Sequence, residues 1–291
     1  MQLELFRNKE TNKIVNVASV PQRSPFRYPG GKTWFVPTLR RWLMSKSRAP
    51  ELLVEPFAGG GIVGLTAAFD NLAKKVLLVE LDEEVAAVWK ILVYGDYEKL
   101  AKKILNFEMT LENAKRTLEK KPRSTDERAF QTILRNRVSH GGIMAPGSGL
   151  IKNGENGRGI SSRWYPETLA KRIMSIGTIR SKLEFKQGDA FEAIEEFLDD
   201  KQTVYFVDPP YTAAGKRAGR RLYSHHELDH EKLFSTFKKA KGDFIFTYDD
   251  SEELKQLAQK NKFQTQLIPM KNTHHAKMTE LVIGKDLKWL S

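Results

Sequence analysis

Three short stretches of this chain place chemically capable groups at the ends of apolar runs. The sharpest is Asp208-Pro209-Pro210-Tyr211, which follows Val204-Tyr205-Phe206-Val207. Four apolar or aromatic residues bounded by a turn signal predict a short buried strand. Pro209 and Pro210 carry no N–H and restrict the residue before each to extended geometry, so the strand must stop there. An acid and an aromatic ring then sit on a stiff elbow at a strand's carboxyl end, where ligands bind in open α/β sheets. Taken alone, the elbow is equally compatible with a proline turn that only caps a strand.

The second stretch is Ala58-Gly59-Gly60-Gly61-Ile62-Val63-Gly64, between a predicted strand over 52–57 and a helix-like run over 65–69. Gly59, Gly61 and Gly64 fit G-x-G-x-x-G in the strand–turn–helix setting that nucleotide binding requires. The next predicted strand, 76–80, ends in Glu80, a carboxylate able to accept hydrogen bonds from a ribose diol. This arrangement points to a nucleoside-containing cofactor and leaves its identity open. The third stretch is Arg27-Tyr28-Pro29-Gly30-Gly31-Lys32-Thr33. A phosphate-loop reading fails there, because the required first glycine is Phe26. The glycines still allow close backbone approach to a ligand, and Lys32 can meet an anion.

The elements that position these groups follow an α/β pattern. Helix is expected over 34–44, 85–94, 97–121, 128–137, 172–180 and 192–198. Strands are expected over 183–186 and 243–248, with 264–270 and 280–284 as a closing antiparallel pair. Asp189, in Gly188-Asp189-Ala190-Phe191, is a third acid at a strand end. Between the two α/β halves, 139–162 forms a long loop rich in glycine with Lys152, Asn153, Arg158 and Arg163 near it. Such a loop inside a compact protein is functional or disordered. Glycine, Asn and Arg suit a surface that closes on a phosphate backbone or reads bases. The expected organisation is a main domain of 1–94 and 178–291 with an insert of 95–177.

Composition narrows the function classes. The 291 residues are 40% hydrophobic, enough for a substantial core, and Lys+Arg 48 against Asp+Glu 36 gives +12 and a pI near 9.6. That excess favours a polyanion, with nucleic acid ahead of a membrane surface. The charged N-terminus and the lack of any long apolar run give the expectation of a soluble intracellular protein. There are no cysteines, which excludes disulfides, thiolate metal sites and a Cys nucleophile. The paired histidines His225-His226 and His274-His275 lack metal-ligand spacing, so no metal is expected.

Taken together and in this order, Arg27-Tyr28-Pro29-Gly30-Gly31-Lys32, Glu55-Pro56-Phe57-Ala58-Gly59-Gly60-Gly61 and Asp208-Pro209-Pro210-Tyr211 resemble the Dam-type (D12 class, alpha-group) DNA adenine-N6 methyltransferases. The resemblance covers roughly 24–94 and 183–284. It implies an α/β, Rossmann-like S-adenosylmethionine-dependent methyltransferase sheet with a small, mostly helical and loop-rich recognition insert. It further implies S-adenosyl-L-methionine as methyl donor and double-stranded DNA as substrate. Family residues carried over are Asp208, Pro209, Pro210 and Tyr211 for catalysis. Around the cofactor the family pattern places Tyr28, Pro29, Gly30, Gly31 and Lys32, then Glu55, Pro56, Phe57, Ala58, Gly59, Gly60 and Gly61. Glu80 with Leu81 goes toward the ribose, Asp189 with Ala190 and Phe191 toward the cofactor's adenine, and Asp208 also faces the cofactor.

The implied chemistry is consistent with these residue types. Asp208 and the carbonyl of Pro209 can accept the two hydrogens of adenine N6, localising its lone pair by positioning and electrostatics. Tyr211 can stack on a base drawn out of the duplex. Expected DNA contacts are Arg135, Arg137, Lys152, Asn153, Arg158, Arg163, Lys216, Arg217, Arg220 and Arg221. Cytosine-C5 methylation needs a thiolate and is excluded, whereas cytosine-N4 enzymes usually carry Ser in place of Asp208. The segment from Arg135 to Gly142 has only a loose likeness to the corresponding Dam segment, so no target sequence is predicted. Rival readings are a nicotinamide-dependent oxidoreductase and a catalytically inert DNA-binding module. A cognate restriction endonuclease, a monomeric state and a bacterial or phage-encoded protein of the cytoplasm complete the expectations.

Overall fold

The computed structural model describes residues 15–27, 31–142, 149–151, 154, 157–210, 228–271 and 277–290. Seven strands among them form one sheet: β1 (Leu52–Glu55), β2 (Lys75–Glu80), β3 (Leu183–Gln187), β4 (Thr203–Val207), β5 (Asp243–Asp249), β6 (Gln264–Lys271) and β7 (Lys277–Gly284). Their order is β3-β2-β1-β4-β5-β7-β6. The first five run parallel, while β7 pairs antiparallel with both β5 and β6. The chain builds outward from β1 through β2 to β3, then crosses back to lay β4 on the other side of β1. That reversal puts a topological switch point between β1 and β4, the crevice where open α/β sheets bind ligands.

Side-chain alternation divides the core between the two faces of the sheet. Val54, Leu77, Val79, Tyr205, Val207, Phe244, Phe246 and Tyr248 share one face. Leu53, Val76, Leu78, Val204, Phe206, Ile245 and Val282 share the other. Both faces are covered, so the parallel strands read as nearly unbroken apolar runs. Continuing the same parity to the strand ends, Glu55, Asp208, Thr247, Asp249 and Glu280 all fall on the second face.

The helices are α1 (Val36–Met44), α2 (Ile62–Phe69), α3 (Glu83–Val93), α4 (Tyr97–Leu105), α5 (Leu111–Glu119), α6 (Thr125–Val138), α7 (Pro166–Ile179), α8 (Ala190–Glu196), α9 (His230–Phe237) and α10 (Glu252–Lys260). The single helix expected over 97–121 is two. Thr110 adopts extended backbone geometry and its hydroxyl accepts the N–H of Asn113 at 3.0 Å, starting a new helix there. Among the described residues from 139 to 163 are the 3-10 turns His140–Gly142 and Gly159–Arg163 and a bridge between Ser139 and Leu150. Phe130, Leu134, Trp164 and Ile173, in the stretch expected to form an insert, belong to the same continuous core as Trp89 and the second sheet face.

Candidate active site

The glycine-rich turn between β1 and α2 is built by its own backbone and two acids. Gly59 and Gly61 take left-handed backbone geometry (φ 46° and 61°), which favours residues without a Cβ. At Gly61 a Cβ would also lie 2.6 Å from the ring of Trp89. Trp89 donates its indole N–H to the carbonyl of Gly59 at 3.0 Å, clamping the turn from α3. Glu80 accepts the Gly59 N–H at 2.9 Å with one oxygen and the Asp82 N–H at 3.0 Å with the other. Burial pushes the Glu80 carboxyl up to about 7, against the lowering effect of those two hydrogen bonds. A carboxylate has about four acceptor sites, so the bracing role leaves capacity for a diol.

Glu55, 4% exposed, accepts the Gly64 N–H at 2.7 Å. It thereby satisfies one of the orphan donors in the first turn of α2. Burial raises its carboxyl to about 8, opposed by the Gly64 bond and reinforced by the nearby charge of Asp208. Pro56 and Ala58 are buried and Phe57 and Gly60 half-buried. At the ends of β2 and β3, Leu81 is 44% exposed. The exposed Asp189 caps α8 by accepting the Phe191 N–H at 2.7 Å, with Ala190 buried and Phe191 half-buried. The spare acceptor capacity of Glu80, the half-buried Phe57 and Phe191 and the exposed Asp189, all at the carboxyl ends of β1 to β3, are chemically suited to a nucleoside, so the residues present fit S-adenosylmethionine.

The elbow lies across the switch point from this turn. Asp208 follows β4 with its side chain 21% exposed, while Pro209 is buried and Pro210 half-buried. Thr247 of β5 donates its hydroxyl to Asp208 Oδ1 at 2.9 Å. Lys32 Nζ lies 3.1 Å from the same oxygen and 2.7 Å from Glu280 Oε1 of β7. The side chains of Lys32 and Glu280 are only 4% and 5% exposed. Burial alone would lower the Lys32 ammonium, but Asp208 and Glu280 outweigh it and hold it above its ordinary value. Behind β5, His230 Nδ1 and the Tyr248 hydroxyl are 3.0 Å apart, and burial raises the Tyr248 phenol and lowers the His230 imidazole.

Gly31 and Lys32, expected at the cofactor, begin a 3-10 turn, Lys32–Phe35, that delivers the lysine to the elbow. Tyr28, Pro29, Gly30 and Tyr211 lie outside the described residues, as do Lys152, Asn153, Lys216, Arg217, Arg220 and Arg221. Of the remaining expected DNA contacts, Arg158 is exposed and Arg163 half-buried. Arg135 pairs with Glu84 on α3. Arg137 departs most from its expected place: it is 5% exposed and donates to the carbonyl of Pro25, so its guanidinium is used inside the protein. Its neighbour Asn136, fully buried, accepts the Arg27 N–H at 2.8 Å and donates to the carbonyls of Arg27 at 2.8 Å and Gly142 at 3.0 Å. These two residues tie the end of α6 to the strand of chain leading into Lys32.

Sequence reasoning missed Thr247, Glu280, Trp89 and Asn136. Thr247 and Glu280 stand in ordinary strand patterns; the β4–β5 pairing brings Thr247 beside Asp208, and the β5–β7 pairing brings Glu280 to the same lysine.

The sequence profile of the D12 class N6 adenine-specific DNA methyltransferases matches residues 28–275. The Type II methyltransferase M.MjaIII of Methanocaldococcus jannaschii is 23% identical over 222 residues, covering 70% of this chain and 75% of that protein. Among solved structures, the rRNA methyltransferase aviRa of Streptomyces viridochromogenes aligns at 12% identity and a TM-score of 0.42, covering 96% of this chain and 95% of that one. A methyltransferase from Geobacter sulfurreducens aligns at 9% identity and 0.37, covering 97% and 96%. At these scores the structural similarities add nothing about substrate.

Proposed function

Because this chain belongs to the D12 class N6 adenine-specific DNA methyltransferases, we propose that Asp208 and the Pro209 carbonyl hold the adenine amino group for direct methylation. The enzyme is an S-adenosylmethionine-dependent DNA adenine methyltransferase on a Rossmann-like sheet. Membership sets aside the nicotinamide, cytosine-N4 and inert-module alternatives.

The observation that carries the mechanism is the fixed carboxylate of Asp208 at the switch point, bound by Thr247 and Lys32. Adenine N6 is a poor nucleophile because its lone pair is delocalised into the ring. Asp208 accepts one amino hydrogen and the Pro209 carbonyl the other, and the lone pair is left to form the new N–C bond. The methyl's bond to the donor sulfur would break as that bond forms, leaving a neutral thioether; N6 then gives up one hydrogen as a proton to solvent, and the negative elbow stabilises the positive charge that precedes that loss. Tyr211 stacks on the flipped base. S-adenosylmethionine would supply the electrophilic methyl; Glu80 and Leu81 would hold its ribose, Asp189 and Phe191 its adenine, and the turn from Phe57 to Gly61 would cradle the rest.

Duplex DNA meets the insert, 95–177, and the basic stretch after the elbow. Arg158, Arg163, Lys152, Asn153, Lys216, Arg217, Arg220 and Arg221 are the proposed contacts, in keeping with the net charge of +12. Among the described residues no helix is long and apolar enough to cross a membrane. The type II designation of the relative supports a cognate restriction endonuclease as partner. We place the enzyme in the cytoplasm, where its DNA substrate lies, as a monomer.

Tritium transfer from labelled S-adenosylmethionine to mixed-sequence plasmid DNA, followed by base analysis, tests the reading. Label in N6-methyladenine is expected; label in N4-methylcytosine, or none in DNA, contradicts it. Binding should weaken steeply with salt, roughly in proportion to the number of phosphates contacted.

A further inference from the structure

Residues 24–27 belong to no helix or strand, yet side chains from two helices hold their backbone in place. Arg172 of α7 donates to the carbonyl of Ser24 at 3.0 Å, and Arg137 of α6 donates to that of Pro25. At Arg27 the side chain of Asn136 does what a neighbouring strand would do. Its carbonyl accepts the Arg27 N–H at 2.8 Å, and its amide donates to the Arg27 carbonyl at 2.8 Å. The second amide hydrogen goes to the carbonyl of Gly142 at 3.0 Å, so both donors of this buried side chain are used. Gly142 is pressed onto the same spot. Its backbone is left-handed (φ 75°), and a Cβ there would lie 2.9 Å from the Arg27 carbonyl oxygen.

A buried polar network with its donors satisfied adds little net stability, but it fixes one arrangement. Here the arrangement lies between the two halves of the site. The ring of Phe26 is 6.2 Å from Trp89, which clamps the glycine turn. Five residues beyond Arg27 the chain delivers Lys32, whose Nζ is 3.1 Å from Asp208 Oδ1. We propose that Asn136 is a positioning residue that, through the backbone of Arg27, fixes Lys32 against Asp208 for methyl transfer. This inference rests on the reading of Asp208 as the acceptor of the amino hydrogen. Asn136 is withdrawn from the surface and acts only through Arg27. Misplacing a reacting group by about 1 Å can cost about 100-fold in rate, so loosening one anchor among several should cost about tenfold.

The test is a set of variants of the full chain: Asn136→Asp, Lys32→Gln, the double variant Lys32→Gln/Asn136→Asp, and Asp208→Asn. Asn136→Asp keeps the shape and the acceptor for the Arg27 N–H but turns a carboxylate oxygen toward two carbonyls. Each variant is assayed for single-turnover methylation at saturating DNA and S-adenosylmethionine and for its cofactor dissociation constant, with circular dichroism to confirm folding. Asn136→Asp should slow transfer about tenfold, with cofactor affinity within about threefold of wild type. In the Lys32→Gln background the same substitution should change the rate less than about threefold, because the group it positions is gone. A merely structural asparagine would give the same loss in both backgrounds. If Asn136→Asp does not fold, Gly142→Ala takes its place in the same comparison, since it presses on the Arg27 carbonyl and leaves the asparagine intact. If Lys32→Gln is too slow to measure, the Lys32 Nζ resonance of 15N-lysine-labelled protein is read instead. It should shift between wild type and Asn136→Asp, and an unmoved resonance would overturn the inference. So would a wild-type rate for Asn136→Asp or Lys32→Gln, equal losses in both backgrounds, or a loss confined to cofactor affinity. Should Asp208→Asn retain the wild-type rate, the underlying reading of the elbow fails instead. A slow Asp208→Asn beside an unaffected Asn136→Asp removes only the role of Asn136.

Discussion

On the two sides of the switch point the same residue type is put to different use. Between β1 and β2, Glu55 and Glu80 receive backbone N–H groups from Gly64, Gly59 and Asp82, and burial raises both carboxyls. Between β4 and β7, Asp208 and Glu280 receive an ammonium and a hydroxyl from side chains. The first pair shapes a turn: its acids replace missing helix and loop partners, and a neutral group of the same shape would serve much of that purpose. The second pair meets a buried ammonium, which a neutral isostere would leave short of counter-charge. Mutation to the neutral isostere should therefore separate the two sides more cleanly than truncation to alanine.

The largest effect should come from Gly61→Ala. Its left-handed backbone and the 2.6 Å approach to Trp89 leave no room for a methyl group. Strain and overpacking together should cost about 2–5 kcal/mol, read as a lower midpoint in urea denaturation. A change below about 1 kcal/mol would mean that the turn is less rigidly held than the clamp by Trp89 implies.

Glu80→Gln should come next. Its amide oxygen can accept only one of the two N–H groups that Glu80 now serves, and the other is left opposite an NH2. Cofactor affinity measured by calorimetry should fall about tenfold, in line with one unsatisfied donor and a weakened diol contact. Unchanged affinity would confine Glu80 to bracing the loop.

The smallest effect should be that of Glu55→Gln, and its sign should depend on pH. In the folded protein the Glu55 carboxyl is raised from 4.5 to about 8. The unfolded chain therefore binds fewer protons between those values, and stability falls as pH rises through that window. The contribution is fully present below the unfolded value and lost as pH passes the folded one. Glu55→Gln keeps the acceptor for Gly64 without a charge, so its melting temperature should gain on the wild type from about pH 5 to pH 8. Parallel melting curves across that range would show that Glu55 ionises freely.

The two sides also differ in how far they could be read from sequence. Gly59, Gly61, Gly64 and Glu80 are close together along the chain and follow strand and helix signals, so their turn is legible in the sequence. The elbow itself was equally plain, because Pro209 and Pro210 dictate it. What surrounds Asp208 was not. Lys32, Thr247 and Glu280 arrive from three separate elements, and their meeting depends on strand order and register, which no local pattern encodes. Arg137 shows the converse error. A basic residue near a glycine-rich loop suggested DNA, but helical spacing turns it inward to Pro25 beside the buried Asn136. The division of 97–121 into two helices was signalled by Thr110, whose capping role depends on a local extended backbone.

The most direct test of the whole account is single-turnover methylation of DNA by Asp208→Asn, with the cofactor dissociation constant measured on the same preparation. Transfer should fall by about 100-fold or more, the scale expected when a preorganised electrostatic contact to the reacting group is lost. Cofactor binding should stay within about threefold of wild type, since the glycine-turn side remains intact. Transfer near the wild-type rate, or a loss of rate fully matched by a loss of cofactor binding, would contradict the assignment of Asp208 to the chemical step.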